Sequence, residues 1–281
     1  MRVAVLGTGI MGRAMAANIA AAGHDTIVWN RSRDKAEGIE GTTVADSAFG
    51  AVAGRDAVVT MLVDADSVLE VMTPDVLGAA QGAVWLQMST VGEEISRLAD
   101  AASEAGVAFV DAPVAGTKAP AEQGALTVLA SGPQDVRETA DAVFDAVGKQ
   151  THWLGEEAGA GSRMKLLVNG VLVHQVAAIA EGVRAASALG LEPSQLLEVL
   201  DGGPLDSMVI QGKGALMDAG DFDPQFPLEH AGKDARLLVE AAGQAGQELP
   251  VLSVIADLHA DAVDAGHGRE DMAAIVTQLD S

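Results

Sequence analysis

The stretch Val3-Ala4-Val5-Leu6-Gly7-Thr8-Gly9-Ile10-Met11-Gly12 decides the fold of this chain. Its first four residues form an apolar run typical of a buried strand, and the alanine-rich segment that follows predicts a helix to about Ala22. A G-x-G-x-x-G pattern between a strand and a helix is typical of a dinucleotide-binding turn, whereas a plain tight turn is the alternative. Gly7 permits the turn, Gly9 lets a pyrophosphate approach the backbone, and Gly12 lets the helix pack on the strand. We assign the dinucleotide site to Gly7, Gly9, Ile10, Met11 and Gly12.

The end of the second predicted strand, residues 26–29, indicates which dinucleotide binds. An NAD site usually has an acidic residue here, which binds the ribose hydroxyls. This chain has Asn30-Arg31-Ser32-Arg33 instead. An arginine fork beside a serine hydroxyl suits a 2′-phosphate, although two solvated arginines at a helix start are the alternative. We predict NADP(H) as the cofactor, with this turn contributing Asn30, Arg31 and Ser32.

Strands and helices alternate through the first half of the chain. The further strands are predicted over residues 57–62, 84–88, 108–110, 124–130 and 152–154, and helices from about residue 66, over 93–105 and over 133–147. This alternation predicts a parallel, doubly wound sheet that binds ligands outside the carboxyl ends of its strands. The segments expected at that edge are Met61-Leu62-Val63, Ser89-Thr90 and Ala115-Gly116-Thr117-Lys118.

From residue 161 onward the periodicity is helical. Helices are predicted to start near Ser162, Pro193, Asp206, Pro227, Leu249 and Arg269. The fold class is therefore α/β: a Rossmann domain over residues 1–160, joined by a long helix to an all-α domain over residues 161–281.

The helix expected from Ser162 is apolar on nearly every side, which predicts a buried helix capped by that serine. Lys165 and Asn169 lie one turn apart and share a face of it. Burial and the positive end of the helix dipole both disfavour a charged ammonium, which suits acid–base chemistry. A snorkelling lysine or a structural ion pair is the alternative on this stretch alone.

Composition excludes several classes of function. The net charge of −23 argues against nucleic acid or an anionic membrane as a partner. The chain has no cysteine and no tyrosine, which excludes thiolate nucleophiles, cysteine-ligated zinc and a tyrosine proton donor. The six histidines show no metal-ligand spacing, so we predict no metal. The longest uncharged run, residues 166–180, is shorter than a membrane span, and we expect a cytoplasmic protein.

Six motifs occur in order along the chain. They are Gly7-Thr8-Gly9-Ile10-Met11-Gly12, Ser89-Thr90-Val91, Asp111-Ala112-Pro113-Val114-Ala115-Gly116, Gly159-Ala160-Gly161 with Lys165 and Asn169, Lys233-Asp234, and Gly266-His267-Gly268-Arg269-Glu270-Asp271. A chain with these motifs resembles the β-hydroxyacid dehydrogenases, the family that includes 3-hydroxyisobutyrate dehydrogenase. The segments 118–124 and 226–228 and the Asn30-Arg31 pair look most like the glyoxylate/succinic semialdehyde reductases of that family. Two residues depart from the family pattern. Ala115 stands where a serine is common, and Ala235, after Lys233-Asp234, stands where leucine is usual.

The resemblance implies an oxidoreductase acting on CH–OH groups, which uses NADPH to reduce small aldehyde-acids to hydroxy acids. Lys165 would donate the proton, and Asn169 would orient Lys165 or bind the substrate. The residues implied to hold the substrate are Ser89, Ala115, Gly116, Thr117 and Lys118, although an exposed loop lysine is the alternative for Lys118. Thr90 would lie near the nicotinamide, Lys233 would reach the cofactor, and Met61, Leu62 and Val63 would line its site.

Other functions remain open within this resemblance. The substrate could be 3-hydroxyisobutyrate or tartronate semialdehyde. Imine reductases resemble the family but usually lack the lysine at the position of Lys165, and non-catalytic NADP-binding relatives have lost it. Apolar helical segments such as residues 249–258 are expected to associate, as in the family, into a homodimer or homotetramer.

Overall fold

A six-stranded parallel sheet organises the first part of the chain, in the order β3-β2-β1-β4-β5-β6. Its strands are β1 (Arg2–Leu6), β2 (Asp25–Trp29), β3 (Thr42–Val44), β4 (Ala57–Thr60), β5 (Val84–Gln87) and β6 (Ala108–Asp111). This is the strand order of a doubly wound dinucleotide-binding fold, which confirms the predicted architecture. The sequence analysis missed β3, a three-residue edge strand with no fully buried side chain. The structure is a computed structural model and describes residues 1–279.

Helices pack on both faces of this sheet. They are α1 (Ile10–Ala21), α2 (Ala48–Val52), α3 (Ala65–Val71), α4 (Pro74–Ala79) and α5 (Ile95–Ala105). Successive residues of β1 point to opposite faces. Val3 and Val5 therefore join one apolar core with α1, whereas Ala4 and Leu6 join another with α3, α4 and α5.

A separate three-stranded sheet follows, in the order β7-β8-β9. Its strands are β7 (Val114–Ala115), β8 (Leu126–Ala130) and β9 (Gly148–Trp153), and its helices are α6 (Lys118–Glu122) and α7 (Arg137–Val147). The strands predicted near residues 124–130 and 152–154 thus belong to this second sheet. β7 and β8 are antiparallel, and β8 and β9 are parallel. The first compact unit, Met1–Lys165, contains both sheets.

The second compact unit begins at Leu166, and its described part, residues 166–279, consists of helices joined by loops. Its helices are α8 (Ala160–Ala188), which starts in the first unit, α9 (Pro193–Leu200), α10 (Met208–Ala219), α11 (Leu228–Gln244) and α12 (Pro250–Ala262). The prediction of a helix from Arg269 was wrong: a π-helical turn, Val263–His267, comes first, and a 3-10 helix, Met272–Leu279, follows. The units divide within α8, a few residues beyond the predicted domain boundary.

The prediction that α8 is buried on all sides was wrong. Val173 and Val176 lie in the core of the second unit, whereas Leu167, Val168 and Val171 are 52%, 38% and 61% exposed. By length and composition alone, α8 is also apolar enough to cross a membrane, with a mean hydropathy of 1.5. Core helices of soluble proteins pass the same test, and core packing accounts for the apolar residues of α8 that are buried, such as Val173 and Val176.

Candidate active site

The turn between β1 and α1 has the geometry that its glycines predict. Gly7 has a φ of +99°, and a Cβ there would overlap the carbonyl oxygen of Met61. A Cβ on Gly12 would overlap the carbonyl oxygen of Gly7. A Cβ on Gly9, in contrast, would meet no atom of the described residues within 4 Å. Gly7 and Gly12 are therefore required by the turn itself, and Gly9 leaves open space in front of the N-terminus of α1.

The polar groups of this turn fit a dinucleotide phosphate. The Thr8 hydroxyl is buried and has no hydrogen-bond partner within residues 1–279. A buried hydroxyl without a partner costs free energy, and a phosphate oxygen at a helix N-terminus would supply that partner. The Thr8 N–H donates to Asn30 Oδ1 at 3.1 Å, which ties the glycine turn to the end of β2. The residues present thus suit the nicotinamide dinucleotide that the motif predicts.

The turn after β2 presents two exposed arginines, Arg31 at 88% and Arg33 at 54%. Asn30 donates from Nδ2 to the Ser32 carbonyl at 3.0 Å. Arg31 Nη1 lies 3.8 Å from Glu70 Oε2. Arg33 is held instead by two carboxylates, at 3.2 Å from Glu37 and 2.7 Å from Asp46. The assignment of Asn30, Arg31 and Ser32 to a 2′-phosphate stays a prediction.

Arg13, which the sequence analysis did not single out, fastens the same turn. Its guanidinium donates to the carbonyl oxygens of Lys35, Glu37 and Gly38 at 3.1, 3.0 and 3.0 Å. These acceptors are 22 to 25 residues away in sequence, so no local pattern indicates the contact. Arg13 thereby holds the segment after Ser32 against α1.

Ser89 joins the carboxyl ends of β4 and β5. Its buried hydroxyl accepts a hydrogen bond from the Leu62 N–H at 2.9 Å and donates to the Thr60 carbonyl at 3.4 Å. Gln87 holds the Ser89 backbone, with both hydrogen bonds at 2.9 Å. The serine thus positions the Met61–Val63 segment, and its assignment to the substrate stays a prediction. Thr90, the next residue, is half-buried at the same edge.

The segment after β7 lies beside the glycine turn. Gly116 has a φ of +137°, and a Cβ there would lie 2.6 Å from Leu126, so a glycine is needed. Thr117 precedes α6, and Lys118 is 53% exposed and 4.0 Å from Glu122, which agrees with the alternative of a solvated lysine. A groove of about 690 Å³ is lined by Thr8, Gly9, Ile10, Arg13, Lys118 and Glu122, among others. The structure therefore brings α6 and the glycine turn together.

Lys165 lies in the second turn of α8 and is only 7% exposed. The helix begins at Ala160, two residues earlier than expected, so the prediction that Ser162 is its N-cap was wrong. Helix-dipole effects are confined to the first turn, so the dipole of α8 disfavours the Lys165 ammonium less than the sequence predicted. Ser162 instead donates its N–H to Asp111 Oδ2 at 2.8 Å and its hydroxyl to Asp111 Oδ1 at 2.7 Å. Asp111, at the end of β6, caps the helix from outside it.

Asn169 lies one turn beyond Lys165 on α8, as predicted, and its partner is in the second unit. Its Nδ2 donates to Asp234 Oδ2 at 2.6 Å, and both side chains are buried. Lys233 Nζ lies 3.4 Å from Asp234 Oδ1, and its side chain is 28% exposed. Asp234, which the sequence analysis quoted but assigned no role, therefore fixes the orientation of the Asn169 amide.

Two family models match the chain. Residues 2–155 match the NAD binding domain of 6-phosphogluconate dehydrogenase. Residues 159–279 match the NAD-binding domain of NADP-dependent 3-hydroxyisobutyrate dehydrogenase. The chain belongs to the 3-hydroxyisobutyrate dehydrogenase family. Members of this family are oxidoreductases that act on CH–OH groups with a nicotinamide cofactor. The predicted family and enzyme class are therefore confirmed, and so is a nicotinamide cofactor, while the choice of NADP(H) stays a prediction.

Individual relatives agree with this placement. Glyoxylate/succinic semialdehyde reductase 1 of Arabidopsis thaliana is 34% identical over 283 residues, which cover 98% of this chain and 97% of the relative. The structure of 3-hydroxyisobutyrate dehydrogenase from Salmonella typhimurium has a TM-score of 0.92 at 26% identity and covers 99% of both chains. The Mycobacterium tuberculosis 3-hydroxyisobutyrate dehydrogenase with L-serine has a TM-score of 0.88 at 30% identity and covers all of both chains.

Proposed function

We propose that this hydroxyacid dehydrogenase is an NADPH-dependent reductase of small aldehyde-acids of the glyoxylate and succinic semialdehyde type. The observation that carries the proposal is the buried Lys165, with Asn169 one turn on, on the helix that follows a dinucleotide-binding sheet. The name of the similar Arabidopsis reductase supports this substrate class. The names of the similar solved structures support the second candidate, a dehydrogenase of 3-hydroxyisobutyrate. A reductase of tartronate semialdehyde is the further alternative.

The chemistry assigns a role to each group. The cofactor, when bound, supplies the hydride that reduces the aldehyde carbon. Negative charge then develops on the aldehyde oxygen, and the Lys165 ammonium donates a proton to it. Asn169, oriented by Asp234, fixes Lys165 or the substrate hydroxyl. Backbone N–H groups of Gly116 and Thr117 hold the substrate carboxylate.

Substitution of the lysine tests the mechanism. Lys165→Ala should lower kcat by about 10²–10⁴-fold, because a general acid contributes that much, with the Kd for NADPH within about twofold. The control is Lys149→Ala, which removes an exposed lysine of β9. Each protein is assayed with glyoxylate, succinic semialdehyde, tartronate semialdehyde, methylmalonate semialdehyde and a cyclic imine. Wild-type turnover in Lys165→Ala would contradict the proposed mechanism, and turnover of the imine alone would favour an imine reductase.

Cofactor choice is a separate part of the proposal. We assign NADP(H) to Arg31 and Ser32, because the exposed guanidinium can turn from Glu70 towards a 2′-phosphate. Arg31→Asp should weaken NADPH binding by at least about tenfold relative to NADH, since the new carboxylate repels the phosphate. Titration of each dinucleotide by fluorescence measures the ratio. An unchanged ratio would remove this turn from cofactor discrimination.

We also propose that the chain forms a homodimer or homotetramer in the cytoplasm. In the second unit, exposed apolar residues lie on two helices: Leu167 and Val171 on α8, and Val251 and Val254 on α12. Large apolar side chains that a single chain leaves exposed are available to an interface with a second copy. Light scattering should give a multiple of 28.5 kDa, and Leu167→Glu with Val171→Glu should lower it. A monomeric wild-type protein would remove this proposal.

A further inference from the structure

We propose that Asp111 is a positioning residue for Lys165, and that with Ser131 it sets where α8 starts and how the helix is rotated about its axis. The proposal rests on the proposed function in one respect, because the role of Lys165 as proton donor comes from there. The physical arrangement that carries it lies entirely within the first unit.

Two side chains satisfy the backbone at the start of α8. The first N–H groups of a helix have no partner within the helix and must find one elsewhere. Asp111 Oδ2 accepts from the N–H groups of Gly159 at 2.9 Å and Ser162 at 2.8 Å. Ser131 Oγ accepts from the Gly161 N–H at 3.0 Å and donates to Asp111 Oδ2 at 3.2 Å. The start of α8 is therefore bound by residues from the ends of β6 and β8.

The two anchoring residues are themselves fixed to each other. Asp111 donates its N–H to the Ser131 carbonyl at 3.0 Å, and Ser131 donates its N–H to the Asp111 carbonyl at 2.7 Å. Both side chains are fully buried. This pair of backbone hydrogen bonds joins the two sheets, so the groups that cap α8 belong to a rigid part of the fold.

Direct packing limits the helix further. A Cβ on Gly161 would overlap the Leu129 carbonyl oxygen and lie 3.0 Å from the Asp111 carbonyl oxygen. The first turn of α8 therefore lies against the backbone of β6 and β8, with no room for a side chain. Gly159, with a φ of +112°, turns the chain into the helix. The Gly159-Ala160-Gly161 motif thus has a structural explanation: it lets the helix start seat on the sheet ends.

Lys165 is close enough to this anchor to depend on it. It follows Ser162 by three residues, which is about 4.5 Å along a helix axis. A small rotation at the start of α8 moves the lysine ammonium further than it moves the backbone, because the side chain extends well beyond the backbone radius. A misplacement of about 1 Å in a catalytic group can cost about 10²-fold in rate. The anchor therefore determines where the ammonium lies.

Asp111→Asn tests this directly. The amide keeps one acceptor oxygen, but its nitrogen cannot accept from Gly159 or Ser162. We expect kcat to fall by about 10–100-fold, while KM for NADPH changes by less than about twofold because the glycine turn is untouched. Hydrogen exchange of the amides of residues 159–166, followed by mass spectrometry, should speed up at least about tenfold as the cap opens. Ser131→Ala, which leaves the carboxylate in place, should give smaller changes in the same direction.

Asp56→Asn is the control at an exposed carboxylate away from α8. Asp56 is a carboxylate of the same unit that accepts from the Arg2 N–H and guanidinium, each at 2.7 Å, but it precedes β4 at the opposite edge of the sheet. This variant should keep wild-type kcat and wild-type exchange over residues 159–166. A kcat loss equal to that of Asp111→Asn would show general destabilisation and overturn the positioning role.

The two readouts separate this proposal from the proposed function. Wild-type exchange over residues 159–166 in Asp111→Asn would overturn the anchor, whatever the activity. Faster exchange with wild-type kcat would overturn the positioning role. If the wild-type protein reduces no aldehyde in the panel, or Lys165→Ala is fully active, the proposed function fails, and exchange still decides whether Asp111 anchors α8.

Discussion

The two compact units each contain a fully buried aspartate that joins distant segments. The negative charges of these two carboxylates are compensated differently. In the second unit, Asp271 accepts from Lys213 Nζ at 2.7 and 2.9 Å and from the N–H groups of Gln225, Phe226 and Ala273. In the first unit, the donors to Asp111 among residues 1–279 are backbone N–H groups and serine hydroxyls. Burial raises the pKa of the Asp111 carboxyl, and hydrogen bonds from Ser162, Gly159 and Ser131 oppose that rise.

The difference follows from what each aspartate supports. Lys213 compensates the charge of Asp271 directly, as a purely structural contact allows. A cation in the same position at the start of α8 would add positive charge beside the Lys165 ammonium. Hydroxyl and N–H donors bind the carboxylate without that repulsion. The Asp111 charge at the start of the proposed catalytic helix is thus compensated by N–H and O–H dipoles. The Asp271 charge is compensated by an ion pair with Lys213.

The largest expected effect comes from breaking the ion pair. Lys213→Ala leaves the Asp271 charge buried without its cation, which should cost about 3–5 kcal/mol in the free energy of unfolding. Urea denaturation followed by circular dichroism measures it, with Lys149→Ala as the exposed-lysine control. A loss below about 1 kcal/mol would mean that the N–H donors alone hold Asp271.

The second effect concerns Asp111 itself. Asp111→Asn should cost about 1–3 kcal/mol in the free energy of unfolding, because buried N–H groups lose an acceptor but no charge is left unpaired. The same denaturation experiment compares this loss of stability with that of Lys213→Ala. If Asp111→Asn were the more destabilising change, the carboxylate compensated by dipoles would be the stronger contact and the comparison would be reversed.

The third prediction tests the packing under the cap. Gly161→Ala should cost about 1–3 kcal/mol in stability through overpacking and should also lower kcat. Gly243→Ala is its control, because a Cβ at this position of α11 meets no atom of the described residues within 4 Å. That change should leave stability unchanged or raise it by up to about 0.5 kcal/mol, since alanine favours a helix over glycine but Gly243 lies in the last turn of α11. Equal effects of the two substitutions would contradict the close seating of α8.

The smallest effect concerns a buried group that has no charge partner. His259 is fully buried, donates from Nδ1 to the Ile255 carbonyl at 2.8 Å, and has no partner at Nε2 within the described residues. Burial lowers the pKa of His259, so below pH about 6.5 the unfolded chain binds a proton that the folded one does not. Stability should therefore fall with decreasing pH, by at most about 1.4 kcal/mol per pH unit. The free energy of unfolding is measured by denaturation at pH 7.5, 6 and 5, and its dependence on pH should be weaker in His259→Gln than in the wild-type protein. An equal pH dependence in both proteins would assign it to another group.

The sequence was informative wherever the deciding residues are close together in the chain. The glycine turn, the alternation of strands and helices, and the Lys165–Asn169 pair each depend on neighbours within one turn or one strand. The sequence misled where a tertiary contact overrode the local pattern. Ser162 has the residue type of an N-cap, yet the cap comes from Asp111, 51 residues earlier.

The amino-acid sequence by itself thus determined the doubly wound sheet and the all-helical second part, because periodicity and turn chemistry act locally. The family was indicated by the resemblance that the six motifs carry. Only the tertiary structure decided which side of α8 is exposed and that β7, β8 and β9 form their own sheet. It also decided the long-range polar contacts: Asp234 holds the candidate site residue Asn169 across 65 residues, and Lys213 binds Asp271 across 58 in a structural ion pair. Such contacts depend on how the folded elements pack, and no local pattern encodes the distance between two side chains so far apart in the chain.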